Sequence, residues 1–130
     1  MEQGAKVLVV DDEPNVLRSL VQYLTIEEFN VETASNGVEA LEKVESFSPE
    51  LILLDVMMPG MDGFEVLDKV KEMPGHADTP VIMLTAKDQS SDVLKGYQSG
   101  ATSYLVKPCN LDELVETINQ TLERSKSKSE

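Results

Sequence analysis

The chain has 130 residues, enough for one domain with its own core and too few for two ordinary ones. Its 24 acidic residues against 11 basic ones leave a net charge of −13, which argues against direct nucleic-acid binding because phosphate contacts need a basic face. The longest wholly apolar runs, such as Val7–Val10 and Leu51–Leu54, fall far short of the roughly 20 residues of a membrane span, and the lone Cys109 cannot form an internal disulfide, so the expected home is the cytoplasm with no membrane partner.

Lys6–Val10 is short, apolar and β-branched, and reads as the first strand. Pro14 suits the first turn of a helix beginning near Glu13, with Leu17, Leu20, Val21 and Leu24 as its apolar stripe. Asn30–Thr33 reads as a second strand. Val38, Leu41 and Val44 mark the second helix, which opens with Asn36 and, three residues on, Glu39, a variant of the capping box. Leu51–Leu54 is the third strand. Asp62 with Glu65 opens the third helix, whose stripe is Phe64, Leu67 and Val70. Pro80–Leu84 is the fourth strand, and a weaker helical stretch, Asp92–Gln98, runs to Gly100 at the position of a C-terminal cap. Ser103–Val106 is the fifth strand. Asn110 with Glu113 opens the last helix, carrying Leu111, Leu114, Val115, Ile118 and Leu122. The polar run from Arg124 to Glu130 reads as a frayed tail or linker stub, which leaves residues 1–123 as the domain.

The first, third and fourth strands are nearly continuous hydrophobics, the mark of strands covered on both faces. Five strands alternating with five helices imply repeated right-handed βαβ units. The predicted fold class is therefore α/β: a doubly wound, five-stranded parallel sheet with five helices in three layers. In such sheets ligands bind beyond the carboxyl ends of the strands. Asp11, Asp12 and Glu13 follow the first strand, Asp55 the third, Thr85 and Ala86 the fourth, and Lys107 and Pro108 the fifth. The carboxylates of Asp11, Asp12 and Asp55, so close, repel one another and one lysine does not balance them; either a pKa rises or a cation binds. Oxygen ligands on an open rim suit Mg²⁺, with Mn²⁺ as a substitute. Such a cation would recruit a phosphoryl group, with Lys107 and Thr85 holding its oxygens and Asp55 as the nucleophile.

The ordered segments Val-Val-Asp11-Asp12-Glu13-Pro14, Leu-Leu-Asp55-Val-Met-Met-Pro59-Gly-Met-Asp62-Gly63, Met-Leu-Thr85-Ala86, Gly100-Ala and Tyr104-Leu-Val-Lys107-Pro108 resemble the response-regulator receiver domain, the CheY-like module of two-component signalling with a flavodoxin-like sandwich fold. The similarity runs from about Lys6 to Leu122. The resemblance implies that Asp55 accepts a phosphoryl group from the phosphohistidine of a sensor histidine kinase or a histidine phosphotransfer protein. It implies metal ligation by Asp12, Asp55 and the main-chain carbonyl of Met57, with Asp11 acting through a metal-bound water. Thr85 and Tyr104 match the family's switch pair, Lys107 would pair with the phosphoryl group, Ala86 leaves room for it, and the Lys107–Pro108 bond is expected to be cis. The output face would lie around the fourth helix, fifth strand and fifth helix. That face would serve a downstream protein, a C-terminal output domain or a phosphorylation-dependent dimer. The expected role is a signalling switch that assists its own phosphorylation and slow dephosphorylation, not a turnover enzyme.

Plainer readings stand beside these. Asp11 and Asp12 alone could cap the first helix, and Tyr104 alone is as readily a half-buried packing residue. Met57, Met58 and Met61 fill loop and core gaps. His76 sits in a Pro-Gly-His-Ala turn and is taken as surface, and Cys109 as a small buried hydrophobe where the family often has an aromatic. A Mg²⁺-dependent phosphatase of the haloacid-dehalogenase type needs a second acid two residues after the nucleophile, where this chain has Met57. A flavodoxin-like cofactor carrier needs a hydroxyl- and glycine-rich loop after the first strand, where this chain has Asp-Asp-Glu-Pro. The remaining alternative is a degenerate receiver acting as a phosphorylation-independent adaptor.

Overall fold

The computed structural model describes residues 4–56, 58–86, 102–107 and 110–129, apart from the side chains at 85, 86, 106, 107 and 126–129. The expected helix at Asp92–Gln98, with Gly100, lies outside the described residues, as do Met57, Pro108 and Cys109. The elements run β1 (Lys6–Val10), α1 (Pro14–Ile26), β2 (Asn30–Ala34), α2 (Gly37–Phe47), β3 (Leu51–Asp55), α3 (Gly63–Glu72), β4 (Val81–Ala86), β5 (Ser103–Lys107) and α4 (Leu111–Ser129). The five strands form one parallel sheet in the order β2-β1-β3-β4-β5. The α/β three-layer arrangement expected from the sequence is thus present, with four helices among the described residues. None of them is long and apolar enough to cross a membrane.

The two-residue period of a strand explains how continuous apolar runs serve two cores. Leu8, Val10, Ile52, Leu54, Val81 and Met83 pack on one face against Ala40 and Val44 of α2 and Phe64, Leu67 and Val70 of α3. Val7, Val9, Leu51, Leu53, Ile82 and Leu84 pack on the other face against Leu20 and Leu24 of α1 and Leu114, Ile118 and Leu122 of α4. The helical stripes fall as predicted except on α2. There Val38 is 61% exposed, and the buried line is Gly37, Ala40 and Val44. Starting the helix at Gly37 turns Val38 outward by about 100° from its neighbour, while the smaller Gly37 and Ala40 allow α2 to approach the sheet.

Helix starts follow the capping logic with one variation. Asp62 and Glu65 form a reciprocal capping box. Asn110 accepts from the backbone N–H groups of Asp112 and Glu113 at 2.8 and 3.1 Å. Asn36 accepts from Glu39 N–H at 2.8 Å, but the Glu39 carboxylate reaches one residue further back, to Ser35 N–H at 2.7 Å and the Ser35 hydroxyl at 2.9 Å. Those donors, the backbone N–H first, hold the Glu39 carboxyl below the usual carboxylate range. Helix α4 continues to Ser129, through residues whose composition suggests fraying. No Gly or Pro interrupts Leu111–Ser129, so an established helix can propagate along it.

α1 closes with a Schellman motif: Phe29 N–H bonds Leu24 O at 3.0 Å and Glu28 N–H bonds Thr25 O at 2.9 Å. The motif's left-handed position belongs to Glu28, with φ of 73°. Across the same layer the Tyr23 hydroxyl donates to the Asp112 carboxylate, tying α1 to the first turn of α4. That bond is the main reason the Tyr23 phenol is raised from 10.0 to about 12.

Glu28→Gly removes the left-handed cost of a side chain and should raise unfolding stability by about 0.5–1 kcal/mol, read as a higher denaturant midpoint with unchanged slope. Because folding favours the protonated Tyr23, its contribution is whole below pH 10.0 and fades as the pH climbs towards about 12. Ultraviolet titration of Tyr23→Phe should lose a tyrosine step near pH 12 that the folded wild type shows.

Candidate functional site

The sheet reverses its winding between β1 and β3, which are neighbours in the middle of the order. Crossovers leave this point in opposite directions and open a crevice at the carboxyl ends of both strands. In the β1–β3 register Val10 faces Leu54, so the next residue on each strand, Asp11 and Asp55, comes to the same level. Acidic residues therefore meet because of strand register, although 44 positions separate them in the chain.

Each acid is held differently. Asp11 is fully buried, and its N–H donates to Ala34 O at 3.1 Å, carrying the β1–β2 pairing one residue past the strand. Its Oδ1 accepts from Glu13 N–H at 3.0 Å, a local turn just ahead of α1, which itself has no side-chain cap. Pro14 then begins the helix, leaving Asp12 half-buried on the rim. Asp55 is the last residue of β3 and only 5% exposed. Behind it, Val56 N–H donates to Leu84 O at 3.0 Å and Val56 O accepts from Gly63 N–H at 2.9 Å. One carboxylate oxygen from each of Asp11, Asp12 and Asp55 lies within 4.8 Å of the others. Three hard oxygen donors at that spacing, two buried and one half-buried, fit a small divalent cation such as Mg²⁺.

The remaining predicted residues fall out as follows. β4 and β5 are each longer than their apolar runs suggest, so Thr85, Ala86 and Lys107 belong to strand ends. Asp55 is in register with Leu84, Thr85 with Val106 and Ala86 with Lys107, which brings the backbones of all three to the same rim as the acids. Met57 and Pro108 lie outside the described residues. Tyr104 faces Met83 in the β4–β5 register and is half-buried against the core cluster on the α2–α3 side of the sheet. Met58 is buried and Met61 packs against the same cluster, as gap-filling residues should. His76, expected at the surface, is half-buried in the turn between α3 and β4. Its N–H bonds Met73 O and its carbonyl accepts from Thr79 N–H, at the end of the sheet opposite the acids.

Two features escape sequence reasoning. One is the Tyr23–Asp112 bond, since neither residue belongs to a motif. The other is the direct seating of α3 on the end of β3 through Gly63, for which the only signal is a glycine immediately after a helix cap.

Comparison with known proteins places these observations in a family. The response regulator receiver domain model matches residues 7–119. The transcriptional regulatory protein SrrA of Staphylococcus aureus is 43% identical over 122 residues, which cover 94% of this chain and 49% of SrrA. The chain thus spans about half the length of the curated relatives it matches. Among solved structures, the chemotaxis protein CheY4 of Vibrio cholerae superposes with a TM-score of 0.86 at 36% identity, covering 91% of this chain and 98% of that one. NtrX from Brucella abortus gives a TM-score of 0.91 at 29% identity over 98% of this chain and 28% of its own.

Proposed function

Because this chain belongs to the response regulator receiver domain family of two-component signalling, we propose that it is a phosphoryl-accepting switch in which Asp55 takes the phosphoryl group. The observation that carries this reading is the meeting of Asp11, Asp12 and Asp55 within 4.8 Å at the sheet's switch point. An Asp55 carboxylate oxygen attacks phosphorus, forming an acyl phosphate. The bond from phosphorus to the donor imidazole nitrogen breaks, and the imidazole leaves with the electron pair. The donor is a sensor histidine kinase or a histidine phosphotransfer protein.

The chain's own residues divide the remaining work. Asp12, Asp55 and the main-chain carbonyl of Met57 would hold Mg²⁺, or Mn²⁺ in its place, with Asp11 behind a bound water. The chemistry that the cation supplies when bound is neutralisation of the charge shared by the carboxylates and the incoming phosphoryl oxygens. Lys107 pairs with one phosphoryl oxygen, and the Thr85 hydroxyl donates to another. The small Ala86 would leave space beside them. Burial of Asp55 keeps its carboxylate out of the bulk solvent that would hydrolyse the product.

The acyl phosphate adds about −1.5 to −2 charge at the rim. Movement of Thr85 towards it would draw Tyr104 inward, altering the surface around β5 and α4. Couplings of this kind amount to about 1–3 kcal/mol, enough to change partner affinity by about 5- to 150-fold. SrrA is a transcriptional regulatory protein in which the matching segment is half of the whole. By that analogy the altered surface is read by an output domain, by a separate downstream protein or by a second receiver. A cytoplasmic setting suits a lone cysteine and a histidine-kinase donor.

Incubation with acetyl phosphate and Mg²⁺ should add one phosphoryl group to the intact mass, and chelator should prevent it. Asp55→Asn should abolish the gain while circular dichroism reports a folded chain; stable labelling of that variant elsewhere would sink the assignment. Absence of labelling in a wild type that folds and binds Mg²⁺ would leave two readings, a strict need for its own histidine kinase or the phosphorylation-independent adaptor. Asp12→Ala should weaken Mg²⁺ binding by at least the roughly 10- to 100-fold typical of residues that only support ligands, measured by calorimetric titration.

A further inference from the structure

The β3–α3 connection is unusually constrained at its two ends. α3 begins at Gly63, whose N–H donates to Val56 O at 2.9 Å, so the first turn of the helix sits directly against the end of β3. A Cβ on residue 63 would lie 2.4 Å from Asp55 O and 2.9 Å from Val56 Cα, backbone atoms of the last residue of β3 and the one after it, and 3.1 Å from Met83 Cε. The methionine methyl can turn aside; the backbone at the end of β3 can relieve the contact only by shifting the Asp55–Val56 peptide against its pairing with β1 and β4. Gly60 and Gly75 are the described glycines with positive φ, so what residue 63 requires is space and not backbone freedom.

A second glycine backs the same connection. A Cβ on Gly37, the first residue of α2, would lie 2.8 Å from both Cβ and Sδ of Met61. Met61 itself is packed on the α2–α3 core cluster. The segment after Asp55 is thus pressed between the starts of two helices, each with no side chain at the point of contact. The capping box of Asp62 and Glu65 pins the start of α3, so the helix cannot shift by one residue to relieve a clash.

We propose that Gly63 is a positioning residue for the acidic site, with Gly37 supporting it through Met61. Seating α3 on β3 fixes the Asp55–Val56 peptide, and with it the Asp55 carboxylate, relative to Asp11. Asp11 is anchored independently, through Ala34 on β2 and Glu13. A side chain at 63 therefore moves one carboxylate and leaves its partner in place, changing the spacing on which cation binding depends. This proposal rests on the reading of Asp55, Asp11 and Asp12 as the cation site.

The test compares Gly63→Ala and Gly37→Ala with Val70→Ala, a buried α3 position two turns away that weakens the core without touching the β3–α3 connection. Each variant is titrated with Mg²⁺ below its melting range. Gly63→Ala should lose roughly 10- to 100-fold in affinity, the range seen for residues that orient ligands. Gly37→Ala should lose less, and Val70→Ala nothing. Wild-type affinity in Gly63→Ala, or an equal loss in Val70→Ala, overturns the proposal. If Gly63→Ala does not fold, Gly37→Ala decides, and unchanged affinity there overturns it. A wild type that binds no Mg²⁺ sinks the cation-site reading instead. The positioning role is then judged by hydrogen exchange at the Val56 and Gly63 amides: faster exchange in Gly63→Ala than in Val70→Ala upholds it, and equal exchange overturns it.

Discussion

Parallel pairing of β1 with β3 is the constraint from which the rest of the site follows. Two strands that lie adjacent, run the same way and end at the same level must deliver their next residues to one place. Here those residues are Asp11 and Asp55, both nearly or fully buried. Burying two carboxylates side by side works against stability unless hydrogen bonds or a cation compensate. A sequence shaped only for folding would put neutral residues there. The local conflict is the feature that separates this rim from the opposite one, and functional sites are where such conflicts are expected.

The central strands supply the rigidity that makes the conflict tolerable. β1, β3 and β4 are apolar on both faces, with α2 and α3 on one side and α1 and α4 on the other. Carboxylates carried at the ends of such strands move little, because any displacement disturbs two cores at once. The surface charge has a separate role. With a net −13 the chain favours an approach by cations and by basic partner surfaces, and a divalent ion at the rim would arrive in an already attractive field.

Most of this architecture is legible in the linear chain. Runs such as Val7–Val10 announce doubly covered strands, and Asp62 with Glu65 announces a helix start that the structure realises as a full capping box. Because fold class fixes which strand ends share a rim, the acidic trio could be named before any coordinates. What eluded reading involves tertiary distance or fine local choice. Val38 has the spacing of a core residue, yet the small Gly37 and Ala40 allow α2 to roll and expose it. Glu39 has the spacing of a capping box, yet its carboxylate finds Ser35 instead. Strand ends at Asp55, Ala86 and Lys107 overrun their hydrophobic runs, because backbone pairing with a neighbour continues where apolar side chains stop. No pattern at Tyr23 or Asp112 foretells their meeting, which depends on how α1 and α4 lie across the sheet.

The strand order also bears on how the chain comes into being. β1 is made first but ends up inside the sheet, flanked by β2 and β3. During synthesis at about 5–20 residues per second, its second edge stays unpaired until the Leu51–Asp55 segment has been added and has left the ribosome, a wait of seconds. Throughout that interval Val7–Val10 is an exposed, uncharged strand edge of the sort that recruits other nascent chains. The acids at Asp11 and Asp12 follow it directly in the chain, in the flanking position from which charged residues oppose aggregation of a strand edge.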